Sequence, residues 1–181
     1  MQKQKFRVLD VCFIAVFVAI IAALAQVTVP LPLGVPLSLQ SFAVALAGAV
    51  LGAKKGTIAV LVYLVLGAVG APVFVGFGGG FHRIVGPWGG YLLSYPVFAF
   101  SAGFGADRER KLPLFLGLLI GTAINLTAGT AQLAIVNNYT WQAAVFAGML
   151  PFIVGDLIKL GAVFGITQPL RKVMQKASAR I

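Results

Sequence analysis

Apolar residues gather in six runs along this chain, and the polar residues between them cluster instead of alternating. The runs cover roughly residues 8–26, 37–53, 56–71, 87–106, 112–136 and 152–171. About 20 apolar residues form a helix that crosses a bilayer, so the pattern predicts six membrane-spanning helices. The second run is short, and the proline-rich segment before it is expected to share the membrane region. The fold class this implies is an all-α integral membrane protein, a single bundle of six transmembrane helices in one domain over residues 1–181.

The connections fall into two kinds. One set is basic: Lys3, Lys5 and Arg7; Lys54 and Lys55; Arg108, Arg110 and Lys111; and Arg171, Lys172, Lys176 and Arg180. The other set, Val27 to Pro36, Pro72 to Gly86 and Asn137 to Trp141, carries Arg83 and His82 as its exceptions. Basic loops stay on the cytoplasmic side, so both termini are expected in the cytoplasm. Residues 1–25 also show a basic start, an apolar core and Ala23-Leu24-Ala25, which is the outline of a cleavable signal. We read this segment as the first helix.

Composition agrees with a bilayer environment. Of 181 residues, 60% are hydrophobic and 10% charged, with mean hydropathy +0.99, whereas a soluble domain carries about a quarter charged residues. The net charge of +10 raises the question of nucleic acid. Its confinement to chain ends and short loops points instead to topology and lipid headgroups, and no nucleic-acid motif accompanies it. The single cysteine, Cys12, excludes an intramolecular disulfide and holds no metal cluster by itself.

Against this background Asp156 and Lys159 stand out. They are three residues apart within an apolar run, which places them on one helix face. Ionisable groups at membrane depth are costly and normally face partners or a wet cavity. The pair reads either as a binding site or as an internal tie between helices. Pro151 suits the first turn of this helix, and Asp156 follows Phe152 by about 6 Å of helix. A site there is expected to open outward, beneath two lids. One lid is the stiff Val29 to Pro36 segment with its three prolines; the other is the glycine-rich Pro72 to Gly90 loop.

Other polar positions extend the candidate site. Gly117, Gly121, Asn125, Gly129 and Gln132 recur on one face of the fifth helix. The glycines permit close packing, and the two amides serve as helix glue or as ligand contacts. Gln40 opens the second helix and Arg83 lies in the outer lid. Phe74 and Tyr91 are candidate walls because glycines flank them, while Phe77, Phe81 and Trp88 read as interface aromatics. Ala15, Ala19 and Ala23 make a small-residue stripe on the first helix, suited to internal packing or to docking on a membrane partner.

Several chemistries are excluded by absence. Gly52-Ala53-Lys54-Lys55-Gly56-Thr57 lacks the spacing of a nucleotide-binding loop. There is no H-E-x-x-H, no Cys/His cluster and one histidine, His82. No resident cofactor, metal or catalytic constellation is expected, so uphill movement of a solute would need energy from another subunit.

The chain resembles the BioY family, the biotin-binding S components of energy-coupling-factor vitamin transporters. The resemblance rests on Val35-Pro36-Leu37-Ser38-Leu39-Gln40, Gly70-Ala71-Pro72-Val73-Phe74, Gly86-Pro87-Trp88-Gly89-Gly90-Tyr91 and Pro151-Phe152-Ile153-Val154-Gly155-Asp156-Leu157-Ile158-Lys159. Ser38 and Trp88 stand where the family often has threonine. The resemblance implies a subunit of the prokaryotic plasma membrane that captures biotin from outside, without enzymatic activity. It further implies assembly with a membrane-embedded coupling subunit, docked on Ala15 and Ala19 and extending to Ala23, and with two cytoplasmic ATPases. Asp156 would then accept the ureido N–H groups, Asn125 or Lys159 would meet the ureido carbonyl, and Arg83 would meet the carboxylate. The reverse assignment, Lys159 on the carboxylate and Arg83 as a lid latch, stays open at this level, as do a different vitamin and, as the less favoured alternative, a membrane enzyme using Asp156 and Lys159.

Overall fold

The computed structural model of the protein describes residues 7–29 and 37–179. The chain is mostly helical: α1 (Val8–Ala25), α2 (Gln40–Leu51), α3 (Ala53–Ala68), α4 (His82–Val85), α5 (Gly89–Ala106), α6 (Lys111–Asn137), α7 (Trp141–Gly148) and α8 (Leu150–Ala179). Two short strands, β1 (Thr28–Val29) and β2 (Leu37–Ser38), pair antiparallel between α1 and α2. Residues 30–36, which carry the prolines of the first expected lid, lie outside the described residues.

Apolar side chains cover much of the outside, and the charged pair is inside. On α8, Val154 is 68% exposed and Ile158 70%, while Asp156 between them is 6% exposed. That inversion of the soluble pattern identifies a membrane protein. The stretches Val8–Ala25, Lys111–Asn137 and Trp141–Ala177 are long and apolar enough to cross a bilayer, and Gln40–Leu51 is a shorter apolar helix.

Helix α5 occupies the centre, packed on α2, α3 and α6, with its longest contact along α6. Small residues make this approach possible. A Cβ on Gly117 would lie 2.3 Å from the Ser101 carbonyl oxygen, and one on Gly129 would lie 2.1 Å from the Tyr91 ring. The glycine face expected on this helix is therefore its seam with α5. A similar seam joins α2 to α5, where a Cβ on Gly48 would meet the Ala99 carbonyl oxygen at 2.2 Å.

Four details depart from the sequence reading. The second helix is Gln40–Leu51, because Leu37 and Ser38 pair as a strand. The third begins at Ala53, since Gly52 at φ +84° turns the chain in one residue. Short helix α4 lies within the expected Pro72 to Gly86 loop, and α7 lies between the last two runs, outside the six expected spans. The last helix continues to Ala179, well past residue 171.

The basic ends are tied down locally. Asp107 accepts from the Ala53 amide at 3.0 Å and from Arg171 Nη2 at 2.6 Å, which joins the starts of α3 and the α5–α6 turn to α8. Lys55 pairs with Asp10 of α1.

Candidate functional site

A pocket opens between the start of α2, the loop after α3, and helices α5, α6 and α8. It lies where two apolar clusters meet: Phe74, Leu92 and Tyr95 belong to the larger one, and Leu126 and Phe152 to the smaller. The lining encloses a cavity of about 70 Å³, which is room for several waters.

The polar end is built on one turn of α8 and the first turn of α2. Lys159 Nζ donates to Asp156 Oδ1 at 3.0 Å and to Ser41 Oγ at 3.1 Å, and Ser41 Oγ donates to the same carboxylate oxygen at 3.4 Å. Both charged side chains are nearly withdrawn from solvent, at 9% exposed for Asp156 and 11% for Lys159. Each carries the other's counter-charge, which is what such burial requires. Gly155 lets α8 come against Leu37, where a Cβ would sit 3.2 Å from its side chain.

Gln40 and Phe74 are held by an inner layer. Gln40 Nε2 donates to Tyr63 Oη at 2.6 Å, and Tyr63 Oη donates to the Val73 carbonyl at 3.0 Å. Phe74 stands edge-on to Tyr63 with ring centroids 5.5 Å apart. It is seated over Gly67, whose Cβ would overlap the Phe74 ring. Gln26, just beyond α1, donates to the Val73 and Phe74 carbonyls and accepts from the Phe77 amide at 2.7 Å. The glycine-rich loop is thus fastened at both ends of its turn.

The opposite wall is aromatic. Tyr91 Oη donates to the Gly148 carbonyl, so the phenol head points to α7 and the ring is left to the pocket wall. The ring lies 6.2 Å from that of Phe152. Arg83, half-buried on α4, places its guanidinium 5.6 Å from the Trp88 ring centroid, a cation–π distance. It makes no carboxylate pair among the described residues.

Asn125 has a constrained orientation. Its Nδ2 donates to the Tyr91 carbonyl at 2.9 Å and to Ser94 Oγ at 2.8 Å. A carbonyl only accepts, so the amide nitrogen must face α5, and Oδ1 remains as an acceptor.

Asp156, Lys159, Asn125, Arg83, Gln40, Phe74 and Tyr91, all singled out in the sequence, share this lining. Gln132 does not. It binds the Ile84 and Gly86 carbonyls at 2.9 and 2.8 Å and fastens α4 to α6. His82 is exposed. Ser41, Tyr95 and Phe152 line the pocket without having been singled out, and Trp88 lines it although it read as an interface residue. The available signal was spacing: Tyr95 is one turn from Tyr91, and Phe152 one turn before Asp156. Ala15, Ala19 and Ala23 are exposed along α1, while Ile14, Phe17, Val18 and Ile21 face the bundle. The stripe therefore does not serve internal packing.

The model of the BioY family matches residues 1–176. The chain belongs to the BioY family. Among curated relatives, the probable biotin transporter BioY of Pyrococcus horikoshii is 42% identical over 132 residues, covering 73% of this chain and 78% of that protein. The biotin transporter BioY of Thermotoga maritima is 38% identical over 137 residues, covering 74% and 79%. A crystal structure of the S-component for biotin from an ECF-type ABC transporter superposes with a TM-score of 0.83 at 29% identity, covering 90% of each chain. The BioY fold is thus shared over nearly the whole length of this chain.

Proposed function

We propose that this chain captures biotin from outside the cell as the substrate-binding subunit of an energy-coupling-factor importer. The observation that carries this reading is the pocket itself: a buried carboxylate and ammonium at one end, aromatic walls, and an arginine that has no carboxylate partner among the described residues. Biotin offers matching chemistry. Its ureido ring has two N–H donors and one carbonyl, its thioether ring and aliphatic chain are apolar, and its tail is a carboxylate.

Asp156 accepts the ureido N–H groups through the carboxylate oxygen that Lys159 and Ser41 leave unused. Lys159 donates its third N–H to the ureido carbonyl. Asn125 cannot fill that second role, since its amide hydrogens already serve α5; its Oδ1 is a further acceptor for a ureido N–H. Arg83 meets the carboxylate. Phe74, Tyr91 and Gln40 shape the wall. Such a site discriminates against analogues, because a missing polar group leaves buried partners unpaired.

The chain does no chemistry of its own in this reading. It sits in the prokaryotic plasma membrane as six spans with both termini in the cytoplasm, consistent with the basic clusters. A membrane-embedded coupling subunit docks on Ala15, Ala19 and Ala23, which are exposed and small, and two cytoplasmic ATPases supply the energy. No cofactor is required; biotin is cargo.

A competition panel on the purified protein tests the choice of vitamin. Radiolabelled biotin is expected to be displaced by unlabelled biotin and not by thiamine or riboflavin. No binding of labelled biotin, with saturable binding of labelled thiamine or riboflavin instead, would assign the pocket to another ligand.

A further inference from the structure

A second, smaller hollow lies on the other side of the Asp156–Lys159 pair. It is lined by Ser41 of α2, Phe98 of α5, Thr122 of α6, and Asp156, Lys159 and Val163 of α8. Its volume is about 10 Å³, at the lower limit of the space one water needs.

Thr122 is unusual among threonines of this fold. A threonine inside a helix ordinarily returns its hydroxyl to the carbonyl four residues back. Thr57, Thr127 and Thr167 do so, bonding Ala53, Ala123 and Val163 at 2.6–2.8 Å. Thr122 does not, and its Oγ1 is buried without a hydrogen-bond partner. Thr130 is the other exception; it lies at the Gly148 turn beside the Tyr91 hydroxyl. Leaving a buried hydroxyl unsatisfied is unfavourable, so a partner at Thr122 is favoured. A buried water is stable with two to four polar partners. Thr122, Asp156, Lys159 and Ser41 are the polar residues along the hollow, among otherwise apolar walls.

We propose that this hollow holds one buried water, bonded to Thr122 Oγ1 and to the Asp156 carboxylate, and that Thr122 is thereby a positioning residue for the ligand-facing carboxylate. The water donates to Asp156 and exchanges a hydrogen bond with Thr122 across the gap between α6 and α8. It resists rotation of the carboxylate away from the main pocket, and it adds no contact to the ligand itself. The second half of this inference rests on the biotin reading of the main pocket; the water site does not.

Two measurements test it. In a crystal structure of the wild-type protein at about 2 Å or better, a water is expected in the hollow at about 3 Å from Thr122 Oγ1 and from an Asp156 oxygen. The Thr122→Val protein, equal in shape but without the hydroxyl, is expected to lose that water. A hollow without ordered density in the wild type overturns the proposal, whatever the ligand of the main pocket. In biotin titrations, Thr122→Val is expected to weaken affinity about fivefold, the effect of one buried hydrogen bond, and Thr122→Ser to restore it. A Val variant that binds like wild type, or a Ser variant as weak as Val, overturns the positioning role. A wild-type protein that ignores biotin overturns that role together with the biotin reading, and leaves the water site to be judged by its density.

Discussion

Lys159 Nζ sits 3.0 Å from Asp156 Oδ1, one turn along α8, and this pair is the wall shared by the main pocket and the hollow behind it. The arrangement separates two roles that one substitution confuses. The pair neutralises itself inside the bundle, and it also presents unused donor and acceptor positions to a ligand. Removing one member leaves a buried charge exposed to low dielectric, so both roles fail together.

A double substitution separates them. Lys159→Met alone is expected to lower thermal stability in detergent, by about 2 kcal/mol; this is discounted from the 3–5 kcal/mol of a sealed pair because the main pocket admits water. Asp156→Asn with Lys159→Met removes both charges and is expected to recover most of the melting temperature. Biotin binding is expected to stay lost in the double variant. Recovered binding would mean that the pair is only a structural tie.

Arg83 gives a test of ligand orientation. Arg83→Met is expected to weaken biotin about tenfold, the loss of one charge-assisted contact. The same substitution is expected to leave an amide of biotin, which has no carboxylate, unchanged. A comparable loss for both ligands would assign Arg83 to the lid and move the carboxylate to Lys159.

The glycine seams predict a graded stability series. Gly48→Ala places a methyl against the Ala99 backbone, and Gly129→Ala places one in the Tyr91 ring. Each is expected to destabilise by about 1–3 kcal/mol through overpacking, and Gly129→Ala also to disturb binding through Tyr91. Gly161 on α8 has nothing within 4 Å of a built Cβ. Gly161→Ala is expected to leave the melting temperature unchanged or slightly raised. Thermal unfolding followed by fluorescence in one detergent ranks the three.

The alanine stripe predicts a loss of assembly without a loss of capture. Ala19→Arg changes an exposed face of α1 on which Ala15 and Ala23 also lie. Co-purification with the coupling subunit is expected to fail, and biotin affinity to stay within about twofold, as for a site distant from the pocket. Normal co-purification would place the docking face elsewhere.

The residues most legible in the sequence were those whose chemistry conflicted with their surroundings. Asp156 and Lys159 interrupt an apolar run, and such groups need a partner; the structure provides one. Gly117, Gly121 and Gly129 repeat with helical spacing, and their seam with α5 follows from that. Position along the chain did not reveal Ser41 or Tyr95. A serine or tyrosine in a membrane helix is ordinary, and its role depends on what lies opposite in space. Gln132 shows the same limit from the other side. It shares a helix face with Asn125, yet one amide borders the pocket and the other clasps the Ile84 and Gly86 carbonyls. Helices α4 and α7 went unread because four and eight residues carry too little periodicity to separate them from loops.

Calorimetric titration of biotin into the purified, detergent-solubilised chain addresses the central claim most directly, with Asp156→Asn as its partner. Saturable one-to-one binding is expected for the wild type, together with a loss of more than about tenfold in the variant, as when a buried charged acceptor is removed. Equal affinity in the two proteins would contradict the account by taking the Asp156 carboxylate out of biotin recognition.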